Sequence, residues 1–137
     1  ASAALSEQRG CRGAVLGVAR WEEPGALPGH LHRLTFAGAG DVAGIFGDDE
    51  RSERLSSSAW VLGRTGYPRA PRSSALAEQR LAVGAHPVLA LFSDGLQTRT
   101  ALPVASALRR QHPLLLAHHL LRTYSRGTDD ALVLVAR

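Results

Sequence analysis

The chain has 137 residues, 45% of them hydrophobic, with a formal net charge of +4 and a single cysteine. That length fits one domain, 1–137, able to bury roughly two-thirds of its unfolded surface without covalent staples. A lone Cys11 excludes an intramolecular disulfide and a multi-cysteine zinc site, no apolar run reaches the ~18 residues of a membrane span, and no leader is expected at the amino end. A soluble, cytoplasmic domain is expected.

The basic balance asks first for a test of nucleic-acid binding. All 16 basic residues are arginine, and they are scattered. Arg109 and Arg110 are adjacent, whereas Arg51 and Arg54 sit among Asp48, Asp49, Glu50 and Glu53. Nucleic-acid binders gather cations on one face and interleave aromatics for stacking, and aromatics make up 5% here. Neither a nucleic-acid nor a membrane partner is expected.

In chain order, Gly13 to Arg20 (GAVLGVAR) is a short apolar run bounded by glycine and charge, and reads as a buried strand. Trp21 to Gly29 follows as a loop with Pro24, Gly25, Pro28 and Gly29. Leu31 to Phe36 alternates, with His32, Leu34 and Phe36 sharing one face. Ala37 to Gly40 suits a tight turn or bulge, and Val42 to Phe46 resumes as a strand. Asp48 to Ser58 is expected to be polar loop, and Gly63 to Ser74, with Gly66, Pro68 and Pro71, an irregular connection. Leu76 to Leu81 and Val88 to Phe92 (VLALF) are the next strands, the second ending at Ser93-Asp94-Gly95.

The period then changes. Pro103 opens a helical stretch with Val104, Ala107 and Leu108 on one face, and Pro113 opens another with Leu114, Ala117, Leu120 and Leu121. Tyr124 to Thr128 is a glycine-bearing turn, and Ala131 to Ala136 (ALVLVA) closes the chain as a buried strand. Strands, then helices, then a last strand predict an α+β domain with a largely antiparallel sheet.

Most of the twelve acidic residues fall in loops, where solvation explains them. Three stand differently. Asp94 directly follows one apolar strand, and Asp129 and Asp130 directly precede another. If those strands are antiparallel neighbours, the carboxylates meet at one sheet edge, where like charges repel unless a cation sits between them; oxygen-only clusters suit Mg²⁺ or Mn²⁺. Gly95, without a Cβ, would let backbone approach a ligand. Turn formation is the competing use of Asp94-Gly95 and Asp129-Asp130.

Ser93-Asp94-Gly95-Leu96 after an apolar strand, and Gly127-Thr128-Asp129-Asp130 before the last one, resemble the metal-dependent protein phosphatases of the type 2C (PPM) family. The likeness is closer to its bacterial SpoIIE-like branch, with the RsbX-like regulators of stress sigma factors. Leu34 to Val42 resembles the family's middle hairpin, and Leu108 to Pro113 its helical region before the last strand. The similarity runs from about Arg12 to Arg137 and implies a PPM-type sandwich of antiparallel sheets packed with helices. The family's upstream acidic strand and Asp-Gly-x-Gly-His-type motif have no counterpart, so the resemblance implies either the carboxy-terminal portion of such a domain, without its amino-terminal strands, or a degenerate member.

The implied activity is Mn²⁺- or Mg²⁺-dependent removal of phosphate from phosphoserine or phosphothreonine in a phosphorylated regulatory protein of the partner-switching or anti-anti-sigma type. Asp94 would bind one metal ion, shared by Asp129, with Asp130 as the second candidate for that role and Gly95 as nearby backbone. Because the bridging aspartate is missing, an alternative follows: a catalytically incomplete phosphatase-fold module that docks a phosphoprotein or kinase. Missing strands would also leave an exposed sheet edge, which favours a homodimer.

The remaining candidates have simpler accounts. His30-x-His32 and His118-His119 lack a third ligand at matching spacing, and His112 before Pro113 reads as a helix start. Cys11 lacks an evident base, and Gly38-x-Gly40 lacks the helix and lysine of a phosphate loop. Trp21 and Trp60 are expected at the core edge or a partner contact, and the Leu114–Leu121 stripe against the sheet.

Overall fold

A computed structural model describes residues 14–22, 31–58, 77–103 and 106–137. The expectations for Cys11, His30, Trp60, Val104 and the 63–74 connection lie outside the described residues. Seven strands and two helices are described: β1 (Leu16–Glu22), β2 (His32–Ala39), β3 (Val42–Gly47), β4 (Ser52–Ser56), β5 (Gln79–Val83), β6 (Val88–Ser93), α1 (Ser106–Arg109), α2 (Pro113–Tyr124) and β7 (Val133–Ala136). The strands form two sheets, ordered β1-β2-β5 and β4-β3-β6-β7, and every strand pair is antiparallel. The α+β class with largely antiparallel sheets is what the residue pattern predicted.

The side-chain alternation of β3 and β6 explains the layering. Phe46 and Leu89 point to one side and join Leu34, Phe36, Leu55 and Val83 in a core between the two sheets. Ile45, Val88, Ala90 and Phe92 point to the other side, where Leu116 and Leu120 of α2 cover them. The four-stranded sheet is thus the middle of three layers. Trp21 of β1 closes the sheet–sheet core, its ring edge-on to Phe46 with centroids 5.3 Å apart, a geometry worth about 0.5–1.5 kcal/mol beyond area burial.

Helix α2 starts where the sequence placed it. His112 is the N-cap, its Nδ1 accepting from the Leu114 N–H at 3.2 Å, and Pro113 fills the first turn. Its buried face is Leu116 and Leu120, however, and Leu114 is 70% exposed, so the expected stripe is rotated. Spacing of four selects residues 116 and 120, with Tyr124 packed partly against the same core.

Two further expectations change. The polar loop from Asp48 to Ser58 contains β4, which pairs with β3 and buries Leu55 between the sheets. A single inward apolar residue is all an edge strand of that length needs, so the segment carries little strand signal. The second correction concerns the strands read as buried. Val15, Leu16 and Val18 beside and along β1, and Leu132 and Leu134 beside and along β7, are exposed.

The two flanks of the sandwich differ. On the β4–β5 side, Ser56 N–H donates to Gln79 Oε1 at 3.1 Å and Gln79 Nε2 donates back to Ser56 Oγ at 3.1 Å. Arg51 Nη2 donates to the Ala82 carbonyl at 2.7 Å, and Gly84 N–H to Asp48 Oδ2 at 2.7 Å. That side is stitched shut. On the opposite side β1 and β7 are both edge strands among the described residues, and no hydrogen bond between them is described.

Candidate functional site

The antiparallel β6–β7 pairing that brings the aspartates together is present. Phe92 stands opposite Val133, Ser93 N–H donates to the Leu132 carbonyl at 3.1 Å, and Leu132 N–H donates to Ser93 Oγ at 3.0 Å. Asp94 and the Asp129-Asp130 loop therefore lie at the same sheet edge. Gly95 is packed against the backbone of Asp130 and Ala131, so closely that a Cβ on it would meet the Ala131 Cα at 2.8 Å and the Asp130 carbonyl oxygen closer still. Its missing side chain serves the approach of this strand, where the sequence reading had expected the approach of a ligand.

The structure adds a further carboxylate, Asp41. Val42 pairs with Ser93, which carries Asp41 to the same end of the sheet as Asp94. Asp41 and Asp94 line both a groove of about 390 Å³ and a neighbouring cleft of about 350 Å³ that Arg54 and Arg126 also border. All four aspartates, 41, 94, 129 and 130, are exposed, and none of the ion pairs among the described residues involves them. Asp129 Oδ1 accepts from the Asp130 N–H at 2.8 Å, which turns that carboxylate toward its own loop.

The larger groove runs along the open flank. Its walls are Val15 and Gly17 from the β1 side and Leu91, Leu132 and Leu134 from the β6–β7 side. Leu132 is 69% exposed, Leu134 52% and Val15 50%. The continuous apolar run from residue 131 to 136 gave no sign of this, because periodicity alone cannot tell a strand covered on both faces from one covered on a single face.

A metal ion needs converging ligands. Among the described residues no group of three or more His, Cys, Asp or Glu side chains is placed to hold one. Asp41 and Asp94 share a groove, but among the described residues no third His, Cys, Asp or Glu joins them there. The description of the chain as a metal-binding hydrolase is corrected on that geometry.

No family model matches the chain, and no curated protein matches it. A solved structure described as "The bacterial stressosome: a modular system that has been adapted to control secondary messenger signaling" does match. The likeness has a TM-score of 0.67 at 24% identity and covers 94% of this chain and 61% of that one, so the chain spans less than two-thirds of that protein's length. At this identity the likeness establishes the fold alone. The expected place of the chain among SpoIIE-like or RsbX-like type 2C phosphatases is corrected: no family model and no curated protein of that kind matches it, and the similar structure is described as a stressosome. The phosphoserine or phosphothreonine phosphatase reading, with its link to sigma-factor control and the stress response, is withdrawn with it. No helix among the described residues is long and apolar enough to cross a membrane.

Proposed function

We propose that this chain is a protein-binding module of a signalling assembly, one that docks a partner without turning it over. The observation that carries the reading is the open flank, where Val15, Leu132 and Leu134 present apolar side chains to water beside two edge strands. Contiguous exposed apolar surface bordered by polar residues is a mark of interaction sites. Covering the exposed half to two-thirds of each such side chain is worth about 1–2 kcal/mol, so three of them supply part of a micromolar affinity. The stressosome likeness supports the same reading, since that structure is described as a modular signalling system.

The partner class we infer is a phosphorylated regulatory protein or the kinase that acts on it. Asp41 and Asp94 give the groove an acidic end that would repel a phosphate, so the docked segment itself carries none. We infer for Asp94, Asp129 and Asp130 the role of a rim that attracts cations, from a partner's basic side chains or from Mn²⁺ or Mg²⁺ in solution.

The test is site-specific photo-crosslinking in the native host from position 134 on the open flank and, as a control, from position 33 on the outer face of β2. A protein that crosslinks from 134 and not from 33, and that binds the chain again when both are purified, is the expected result. Equal, background-level crosslinking from both positions would sink the reading. Turnover of a phosphate ester by the purified chain would sink it as well.

A further inference from the structure

We propose that the open flank takes its partner by strand addition: an extended segment of another protein pairs with the free edge of β7, places alternate apolar side chains on Leu132 and Leu134, and sets a lysine or arginine beside Asp41 and Asp94. The inference rests on the protein-binding reading above and specifies how the partner is held.

Three features converge on this occupant. The first is the backbone. Among the described residues β7 pairs only with β6, so its outer N–H and C=O groups face the flank. A row of unpaired backbone groups is a template for another strand. The second is the side-chain pattern. Leu132, Leu134 and Ala136 share one face of β7, and Leu134 stands opposite Leu91 in the wall of the groove. An added strand continues that face, so every second side chain enters the groove between β7 and the β1 side, where Val15 and Gly17 form the far wall. Gly17 lacks a Cβ, and one built there would meet Val42 Cγ1 at 2.9 Å, so this wall packs closely on the side chains of β3. The third is charge. The groove is apolar along its length and acidic at the Leu132 end, which asks for a segment that is apolar with a basic terminus.

A second copy of this chain fits less well. Antiparallel pairing of β7 with its own copy would bring the aspartate end of one chain to Arg137 of the other. That guanidinium already donates to the carbonyls of Arg110 and Gln111. An already engaged cation would then have to meet the acidic end, an imbalance of partners. A segment bearing its own free lysine or arginine leaves no such imbalance.

The probe is a fluorescein-labelled peptide of alternating valine and threonine with two lysines at one end, titrated with the full chain and read by anisotropy. Saturable binding is expected, at least tenfold weaker for the same peptide with glutamates in place of the lysines. Binding is also expected to weaken at least tenfold when two of its residues, spaced so as to remove N–H groups facing β7, become proline. Leu134→Asp in the chain is expected to abolish binding with an unchanged melting temperature, because this side chain is already half in water. Asp94→Asn is expected to flatten the salt dependence of binding while leaving the apolar contribution. Peptide binding that tolerates proline and Leu134→Asp overturns strand addition. A concentration-dependent dimer of the chain alone, abolished by Leu134→Asp, also overturns it and assigns the flank to a second copy. If the partner crosslinked from position 134 binds Leu134→Asp as well as wild type, strand addition fails while the protein-binding reading stands. If no partner crosslinks at all but the peptide binds, the flank pairs strands and the signalling role fails.

Discussion

Asp48 is 6% exposed, and its carboxylate is the knot of the closed flank. Oδ1 accepts from the N–H groups of Glu50 and Arg51, both at 2.9 Å, and Oδ2 from that of Gly84 at 2.7 Å. One side chain thereby fixes the β3–β4 turn and ties it to the end of β5. Arg109, also buried, donates to the Asp48 carbonyl and to that of Pro103, which brings α1 to the same point. Burial alone would raise the carboxyl's pKa; the three backbone donors and the Arg51 charge outweigh it and hold the group below its ordinary range. A carboxyl depressed in the folded state binds fewer protons there than in the unfolded chain. Its contribution is therefore complete above the unfolded pKa and disappears as pH falls through the folded one. Asp48→Asn keeps the shape but offers one acceptor oxygen in place of two, with an expected cost near neutral pH of about 1–3 kcal/mol. Thermal unfolding of wild type and variant across acid pH checks this: the gap should be constant near neutrality and close in strong acid. A gap that stays constant to the lowest pH would mean that the charge contributes nothing.

At the scale of elements, the last strand is short, paired on β6 along its length, and its entry is fixed by one close contact. β7 has four residues, and its register on β6 is set at one end by Ser93 and at the same end by Gly95 against Asp130 and Ala131. Gly95→Ala is expected to push this backbone away and to cost about 1–3 kcal/mol, as overpacking does. Hydrogen exchange would show it as faster exchange confined first to residues 132–136, and uniform protection would refute it. That sheet edge was legible in the sequence because an apolar strand ending in Asp-Gly and another beginning after Asp-Asp are local signals, and antiparallel pairing brought their ends together as expected. What the edge holds was not legible. The resemblance of Ser93-Asp94-Gly95 and Gly127-Thr128-Asp129-Asp130 to a phosphatase rested on turn residues, and turns use aspartate and glycine for backbone reasons as readily as for chemistry. β4 went unread because one buried Leu55 among Ser52, Glu53, Arg54 and Ser56 leaves no period to detect. Asp41 went unread because its approach to Asp94 depends on the β3–β6 register, a long-range fact.

Considered whole, the molecule has two cores and one shared wall. β3 and β6 contribute to both, Ile45 and Phe46 being neighbours in sequence yet members of opposite cores, as are Val88 and Leu89. A wall whose alternate side chains are fixed on both sides cannot loosen toward one layer without disturbing the other. The helix layer and the sheet–sheet layer should therefore unfold together. Phe46→Ala removes a fully buried ring and the partner of Trp21, and should cost about 3–5 kcal/mol; Leu120→Ala, on the helix side, should cost about 2–5 kcal/mol. Either is a large share of the 5–15 kcal/mol that typically stabilises a domain. In a Trp60→Phe background, Trp21 fluorescence reports the sheet–sheet core and far-ultraviolet circular dichroism reports α2. Both signals should shift to the same lower midpoint in each variant. If Leu120→Ala lowered the helix midpoint and left the Trp21 midpoint in place, the layers would be separate units, and the central sheet would be a partition and not a coupling element. Coincident midpoints would have a consequence for the open flank too: a partner strand that stabilises β7 would then raise the stability of α2 and of the Trp21 core together, because β7 packs against the helix layer through Val133 and Val135 and against the sheet layer through Ala136.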